Sequence, residues 1–294
     1  MMSKNEVGGA LARANSDNVR AHYDLSNEFF ALFVDPTRTY SCAYFPREGM
    51  TLHEAQLAKI DLTLNKLGLE PGMTLLDIGC GWGSVTKRAI EKYDVNVVGL
   101  TLSQNQHAYC QQVLGEVDSG RSARVLLQDW AEFSEPVDRI VIIEALEHFG
   151  FERYDEFFKF AYDALPPNGV MLLHSITGLR PKQVLDRGLP VSFEMARFIK
   201  FIMTEIFPGG RLPSIEKVEE HCARVGFKVN DVQSLQADFA TTLDFWSEAL
   251  EARRDEAIAI QSEEVYERYM HFLTGCAKAF RIGYIDINQF TLEK

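Results

Sequence analysis

The stretch Leu75-Leu76-Asp77-Ile78-Gly79-Cys80-Gly81-Trp82-Gly83 constrains this chain more than any other. A run of buried-strand composition ends in alternating glycines and feeds a helical segment. Glycine at the end of a strand lets a ligand reach the backbone where a side chain would block it. Dinucleotide enzymes use a related loop, GxGxxG, whose last glycine lies three residues beyond the second. Here the glycines stand at 79, 81 and 83 and an acid, Asp77, lies inside the strand, which points to S-adenosylmethionine instead. The plain alternative is a glycine-rich turn with no ligand. Later strand ends favour a cofactor: Thr101-Leu102-Ser103 is followed by Gln104, Asn105 and Gln106, polar groups suited to a ribose and an amino acid. Asp129-Trp130 offers an acceptor and an aromatic wall for adenine, and Glu144 and Glu147-His148 close a fourth run.

Apolar runs at 95–102, 123–129, 139–146 and 169–177 alternate with segments of helical length, the pattern of a parallel sheet covered on both faces. Residues 1–16 read as a loose tail. Between Asp17 and Asp35, Val19, Leu25, Phe29, Phe30 and Phe33 recur at helical spacing. The alternation stops from Gly178 to Pro213, which includes a helical stretch from Val191 to Phe207. Six basic residues (Arg180, Lys182, Arg187, Arg197, Lys200, Arg211) face three acidic ones there (Asp186, Glu194, Glu205), on a chain whose net charge is -12. Helices are expected at 214–225, 240–257 and 262–281, and a last strand near 284–292.

With 294 residues, 46% of them hydrophobic, the chain reads as a globular protein. Its acidic surface opposes general nucleic-acid binding. No apolar run approaches the roughly 20 residues of a membrane helix, and the first residues lack the apolar stretch of a secretory signal. The five cysteines are spread without a CxxC pair, so neither a disulfide scaffold nor a zinc site is expected, and a cytoplasmic setting is.

Several stretches resemble one family along nearly the whole chain. They are Ala21-His22-Tyr23-Asp24-Leu25-Ser26, Thr39-Tyr40-Ser41-Cys42-Ala43-Tyr44-Phe45, the glycine loop, and Gly99-Leu100-Thr101-Leu102-Ser103. To these add Glu147-His148-Phe149-Gly150, Glu205-Ile206-Phe207-Pro208-Gly209-Gly210 and Gln289-Phe290-Thr291-Leu292. The chain is similar to the mycobacterial mycolic acid methyltransferases, the cyclopropane synthase family. The resemblance implies an α/β, Rossmann-like, seven-stranded class I S-adenosylmethionine-dependent methyltransferase. Residues 17–294 would form one domain, with an N-terminal helical lid at 17–73 and a helical insertion at 178–213 lining the acyl site. It implies cofactor contacts from Tyr40, Ser41, Gly79, Gly81, Thr101, Gln106 and Trp130, with Asp77, Gly83, Leu102 and Ala131 completing the set. It also implies a bicarbonate pocket lined by Cys42, Glu147, His174 and a tyrosine. Where relatives read His-Tyr, this chain reads Asp238-Phe239, so one hydroxyl is lost. Many ring-forming members carry glycine where Glu144 stands, and Asp129-Trp130-Ala131 replaces the usual Gly-Trp-Glu.

The implied reaction is methyl transfer to a double bond of a long meromycolyl-type acyl chain in mycolic acid biosynthesis, closing a cyclopropane through a carbocation. An alkene has no proton to remove before attack, so the protein's first contribution is positioning. The cation that follows needs a dry site with electron-rich walls. A base acting on the added methyl closes the ring, whereas delivered water leaves a hydroxyl beside a methyl branch; a methylated alkene is a further outcome. Glu144 is a candidate to place that water, or else a carboxylate that orients Glu147. Cys276 is a further candidate catalytic residue, with a structural thiol as its plainer reading. His148 is expected to point away from Glu147 if the segment is extended. The basic 178–213 stretch is expected to form the mouth of an acyl tunnel and to dock an acidic acyl carrier protein, with peripheral membrane contact as a further option. Rival readings are a small-molecule O- or N-methyltransferase, which would need a tuned base, and a non-catalytic cofactor-binding regulator.

Overall fold

Alternation along the strands decides the architecture. The computed structural model describes residues 26–294. The expected tail at 1–16, the helical stretch as far as residue 25 and most of the match at Ala21–Ser26 lie outside the described residues. A short helix α1 (Asn27–Phe30) is capped by the Ser26 hydroxyl, which accepts from the Phe29 N–H. Helix α2 (Leu52–Lys66) opens with a reciprocal capping box between Thr51 and Glu54. Then follow β1 (Thr74–Ile78), α3 (Ser84–Tyr93), β2 (Asn96–Thr101), α4 (Gln104–Gly115), β3 (Ala123–Leu127), β4 (Arg139–Ile143), α5 (Tyr154–Ala164) and β5 (Val170–Gly178). The four expected strand runs are therefore present.

Beyond β5, α6 (Pro181–Asp186) and α7 (Phe193–Phe201) form the insertion, and α7 runs on into a π turn at Ile202–Ile206. Next come α8 (Ile215–Val225), β6 (Lys228–Ser234), α9 (Gln236–Ala252), α10 (Arg254–Ile260), α11 (Glu263–Arg281) and β7 (Ile285–Glu293). The helix expected at 240–257 is two helices joined at Arg253. Strand β6 was not anticipated, because its sequence KVNDVQS is largely polar and its residues are exposed or half-buried at the sheet edge.

The sheet has seven strands in the order β3-β2-β1-β4-β5-β7-β6, with β7 antiparallel to both neighbours. Leu75 and Val97 pack against Ile60 and Leu64 of α2 and Ala89 of α3. Leu76 and Ile142 pack on the other face against Phe157 and Phe158 of α5. Period-two alternation thus gives each strand two apolar faces. A third, aromatic core joins Phe29, Phe30 and Phe33 to Trp246 of α9 and Tyr269 of α11. The strand order reverses between β1 and β4, and an open sheet forms its binding crevice outside the strand ends at such a point.

Candidate active site

The loop after β1 turns sharply: Gly79, Gly81 and Gly83 all have positive φ (76°, 56° and 83°). A Cβ placed at Gly79 would stand 2.9 Å from that of Ala145, whereas one at Gly81 meets nothing within 4 Å. Gly81 borders the open cavity at the ends of β1, β2 and β4. Tyr40, Ser41, Asp77, Gly79, Thr101, Leu102, Gln106 and Trp130, all candidates for the cofactor set, are brought together in the lining of the same cavity. Thr101 Oγ1 donates to Gln106 Oε1 at 2.8 Å, and the Ser103 N–H donates to Thr101 Oγ1 at 3.2 Å. The Arg153 guanidinium lies 4.4 Å from the Trp130 ring centroid while pairing with Asp129 at 3.1 Å.

Two cofactor residues of the expected set lie elsewhere. Gly83 does not line the cavity; it lets the loop pack on Cys110, whose Sγ would be 3.0 Å from a Cβ there. Ala131 is exposed and its N–H caps a short turn on Asp129 at 2.9 Å. A residue that sequence reasoning missed faces the cavity as well. Lys59 of α2 is fully buried and its Nζ donates to Ser41 Oγ at 2.7 Å. Burial pushes its ammonium below the ordinary lysine value, against the Glu144, Asp35 and Asp77 carboxylates, which favour the charge. Burial also raises Asp77 to about 6, although Thr86 donates to it.

A second cavity of about 620 Å³ lies beyond, walled mainly by apolar side chains of the insertion, α9 and α11. Tyr40, Glu144 and His148 line both cavities and so form the wall between them. His148 corrects the expectation that it would point away. The segment is a single 3-10 turn, Leu146–His148, which brings it round to the wall. Burial holds its imidazole down at about 4, hence neutral.

Glu144 is the unusual member. Its φ is 50°, in the left-handed region where a side chain costs about 1–2 kcal/mol and glycine costs nothing. Its N–H donates to the His174 carbonyl at 2.7 Å, and its Oε1 accepts from the Cys42 N–H at 2.7 Å. Burial pushes this carboxyl up to about 8, aided by the charge of Glu147 and opposed by the Cys42 bond and Lys59. Glu147 lines the apolar cavity and burial raises it to about 7. Its Oε1 accepts from the Ile176 N–H, and its Oε2 is buried with no hydrogen-bond partner among the described residues.

The remaining candidates take other parts. Cys42 acts through its backbone; its thiol is buried, lies 3.0 Å from the Ala43 carbonyl, and is pushed well up by burial. Cys276 lines the apolar cavity, and burial raises its thiol to about 12, which favours the thiol over the thiolate. His174 lines neither cavity; its Nδ1 lies 3.3 Å from Gln289 Nε2, its Nε2 has no partner among the described residues, and burial keeps it neutral.

These residues suit S-adenosylmethionine: glycine backbone, polar strand ends, an indole and buried carboxylates for a sulfonium. They do not suit bicarbonate. The Cys42 and Ile176 N–H groups are already taken by Glu144 and Glu147, and Phe239 has no hydroxyl.

Comparison with known proteins agrees with this geometry. The family described as mycolic acid cyclopropane synthetase matches residues 11–290. The "Methoxy mycolic acid synthase MmaA3" of Mycobacterium tuberculosis is 74% identical over 293 residues, covering 100% of both chains. The structure of the cyclopropane synthase MmaA2 from Mycobacterium tuberculosis superposes with a TM-score of 0.94 at 64% identity, over 95% of this chain and 98% of that one. The mycolic acid cyclopropane synthase CmaA1, solved as a complex with SAH and CTAB, gives 0.93 at 66% identity over the same shares. The chain therefore belongs to the mycolic acid cyclopropane synthetase family and is an S-adenosylmethionine-dependent methyltransferase of mycolic acid modification.

Proposed function

We propose that this enzyme methylates a secondary hydroxyl within a long, mycolic-type acyl chain, giving a methyl ether. Glu144 carries the reading. It is a carboxylate kept in a costly backbone conformation, at the wall between the cofactor and acyl cavities, with a proton affinity near neutrality. Strain of this kind persists where function uses it. A base poised near the working pH serves an acceptor that must lose a proton, which an alkene does not do before attack. The name of the 74% identical relative, a methoxy mycolic acid synthase, supports the same outcome.

S-adenosylmethionine supplies an electrophilic methyl. The apolar cavity holds the acyl chain so that its hydroxyl meets the wall. Glu147, protonated at its buried, unpartnered Oε2, donates a hydrogen bond to the hydroxyl oxygen and fixes it, which leaves the hydroxyl proton facing Glu144. As the new C–O bond forms and the S–C bond breaks, the hydroxyl proton passes to Glu144, whose Oε1 stays anchored on the Cys42 N–H. Lys59 supports the ionised form of Glu144. Phe207, Phe239, Trp246 and Phe272 keep water out of the acyl cavity.

The second reading is ring closure on a double bond, favoured by the aromatic lining of the cavity, which suits a carbocation. Incubating the enzyme with labelled S-adenosylmethionine and two acyl substrates, one carrying a mid-chain hydroxyl and one a cis double bond, separates them. Proton NMR shows a methoxy singlet in the first case and upfield cyclopropane signals in the second. Consumption of the unsaturated chain alone would sink the ether reading.

A further inference from the structure

We propose that the insertion docks the enzyme on the surface of an anionic lipid bilayer, with the acyl cavity opening toward it. No residue from Gly178 to Glu205 is buried. Six of the eight most exposed large apolar side chains among the described residues lie between Leu185 and Leu212. Some of them, such as Ile199 and Met203, face the acyl cavity and are covered when a chain fills it. Leu185, Val191 and Phe193 do not line it, and they stand 70%, 77% and 82% exposed. An apolar group of this size in water marks an interaction face.

Charge selects the partner. Lys182, Arg187, Arg197 and Lys200 make no ion pair among the described residues, against Asp186 and Glu205. Glu194 is neutralised by Lys278 at 2.9 Å, and Arg180 is spent on Glu216 and Glu220. A chain of net charge -12 is repelled as a whole by an anionic surface, so the field favours turning this basic face toward it. A partner offering negative charge alone would satisfy the cations and leave Val191 and Phe193 wet. A bilayer satisfies both, since apolar tips enter the headgroup boundary while the cations meet the headgroups. The inference goes beyond the methyl-ether reading and does not depend on it.

Flotation with vesicles of equal phosphatidylglycerol and phosphatidylcholine tests it. The wild-type enzyme should float with these vesicles, less so as salt rises, and not with phosphatidylcholine alone. Val191→Asp with Phe193→Asp, and separately Lys182→Glu with Arg187→Glu, should each weaken binding by about tenfold or more. S-adenosylhomocysteine affinity, measured by calorimetry, should not change in either variant, which shows that both are folded. Absence of vesicle binding by the wild type, undiminished binding by the variants, or binding of an acidic acyl carrier protein in place of the vesicles would each overturn the proposal.

Discussion

Lys59 Nζ and Ser41 Oγ meet at 2.7 Å with both side chains buried, so α2 delivers a cation to the rim of the cofactor cavity from below. Gln56, one turn earlier on α2, donates to the Ser41 carbonyl at 2.7 Å and holds the same segment. The cation stands among Glu144, Asp35 and Asp77, which is why burial has not expelled it.

Removing that charge should therefore be felt at Glu144. Lys59 lowers the proton affinity of Glu144, so Lys59→Met should raise it. The base works ionised, and the rising limb of activity against pH should move to higher pH by about one unit. A pH profile of kcat for both proteins checks this. An unmoved limb with reduced kcat would make Lys59 a packing residue only.

Gly81→Val should weaken cofactor binding sharply while the fold persists. The new side chain projects into the cavity and adopts φ near 56° at a strain of about 1–2 kcal/mol. Calorimetry with S-adenosylhomocysteine should show affinity lower by about a hundredfold, and unchanged affinity would remove the loop from the site.

Stability should fall as pH rises through the neutral range. Glu144 and Glu147 hold protons in the fold up to about 8 and 7, against an ordinary value of 4.5. The folded state binds more protons across that window, so stability is complete below about 4.5 and is lost on the way to 8. Glu144→Gln removes one such group. Its melting curve should flatten with pH, with Tm at pH 8 above wild type by ~2 °C or more. Parallel curves for the two proteins would refute the assignment.

Glu144→Gly with Phe239→Tyr should shift the outcome toward a ring. Glycine adopts φ of 50° without cost, and the change frees the Cys42 N–H. Tyrosine restores a hydroxyl in the lining of the acyl cavity. With the hydroxylated and the unsaturated chain in competition, each increment of about 1.4 kcal/mol between the two barriers is tenfold in the ratio of ether to ring. Proton NMR of the lipid product reads the ring fraction, and a ratio equal to wild type would show that neither residue decides it.

Much of this could be read in advance because the pattern was local. The strand ends at Gly79, Thr101, Trp130 and Glu144 mark the cavity in the chain itself. Lys59 could not be read that way. Its helix buries Gln56, Lys59 and Thr63 beside Ile60 and Leu64, so the buried face is part polar and the lysine looks like any solvated one. His148 was misplaced because one 3-10 turn replaces the extended backbone that alternation assumes. Strand β6 was missed because an edge strand keeps a polar sequence. The wall itself is non-local: Cys42 and Glu144 are 102 residues apart, a pairing no window of sequence reveals.

The last strand carries a consequence for how the enzyme comes into being. β7 fills the slot between β5 and β6 along nine residue pairs of β5, from Val170 opposite Glu293 to Gly178 opposite Ile285. Its Gln289 also reaches His174 behind the wall. During synthesis the earlier strands emerge first and wait with an open edge for β7. The sheet closes only once β7 itself has left the ribosome. A chain stalled or clipped before residue 285 would hold the glycine loop and its partners yet present an unpaired β5 to its neighbours, making truncated chains prone to edge-to-edge aggregation.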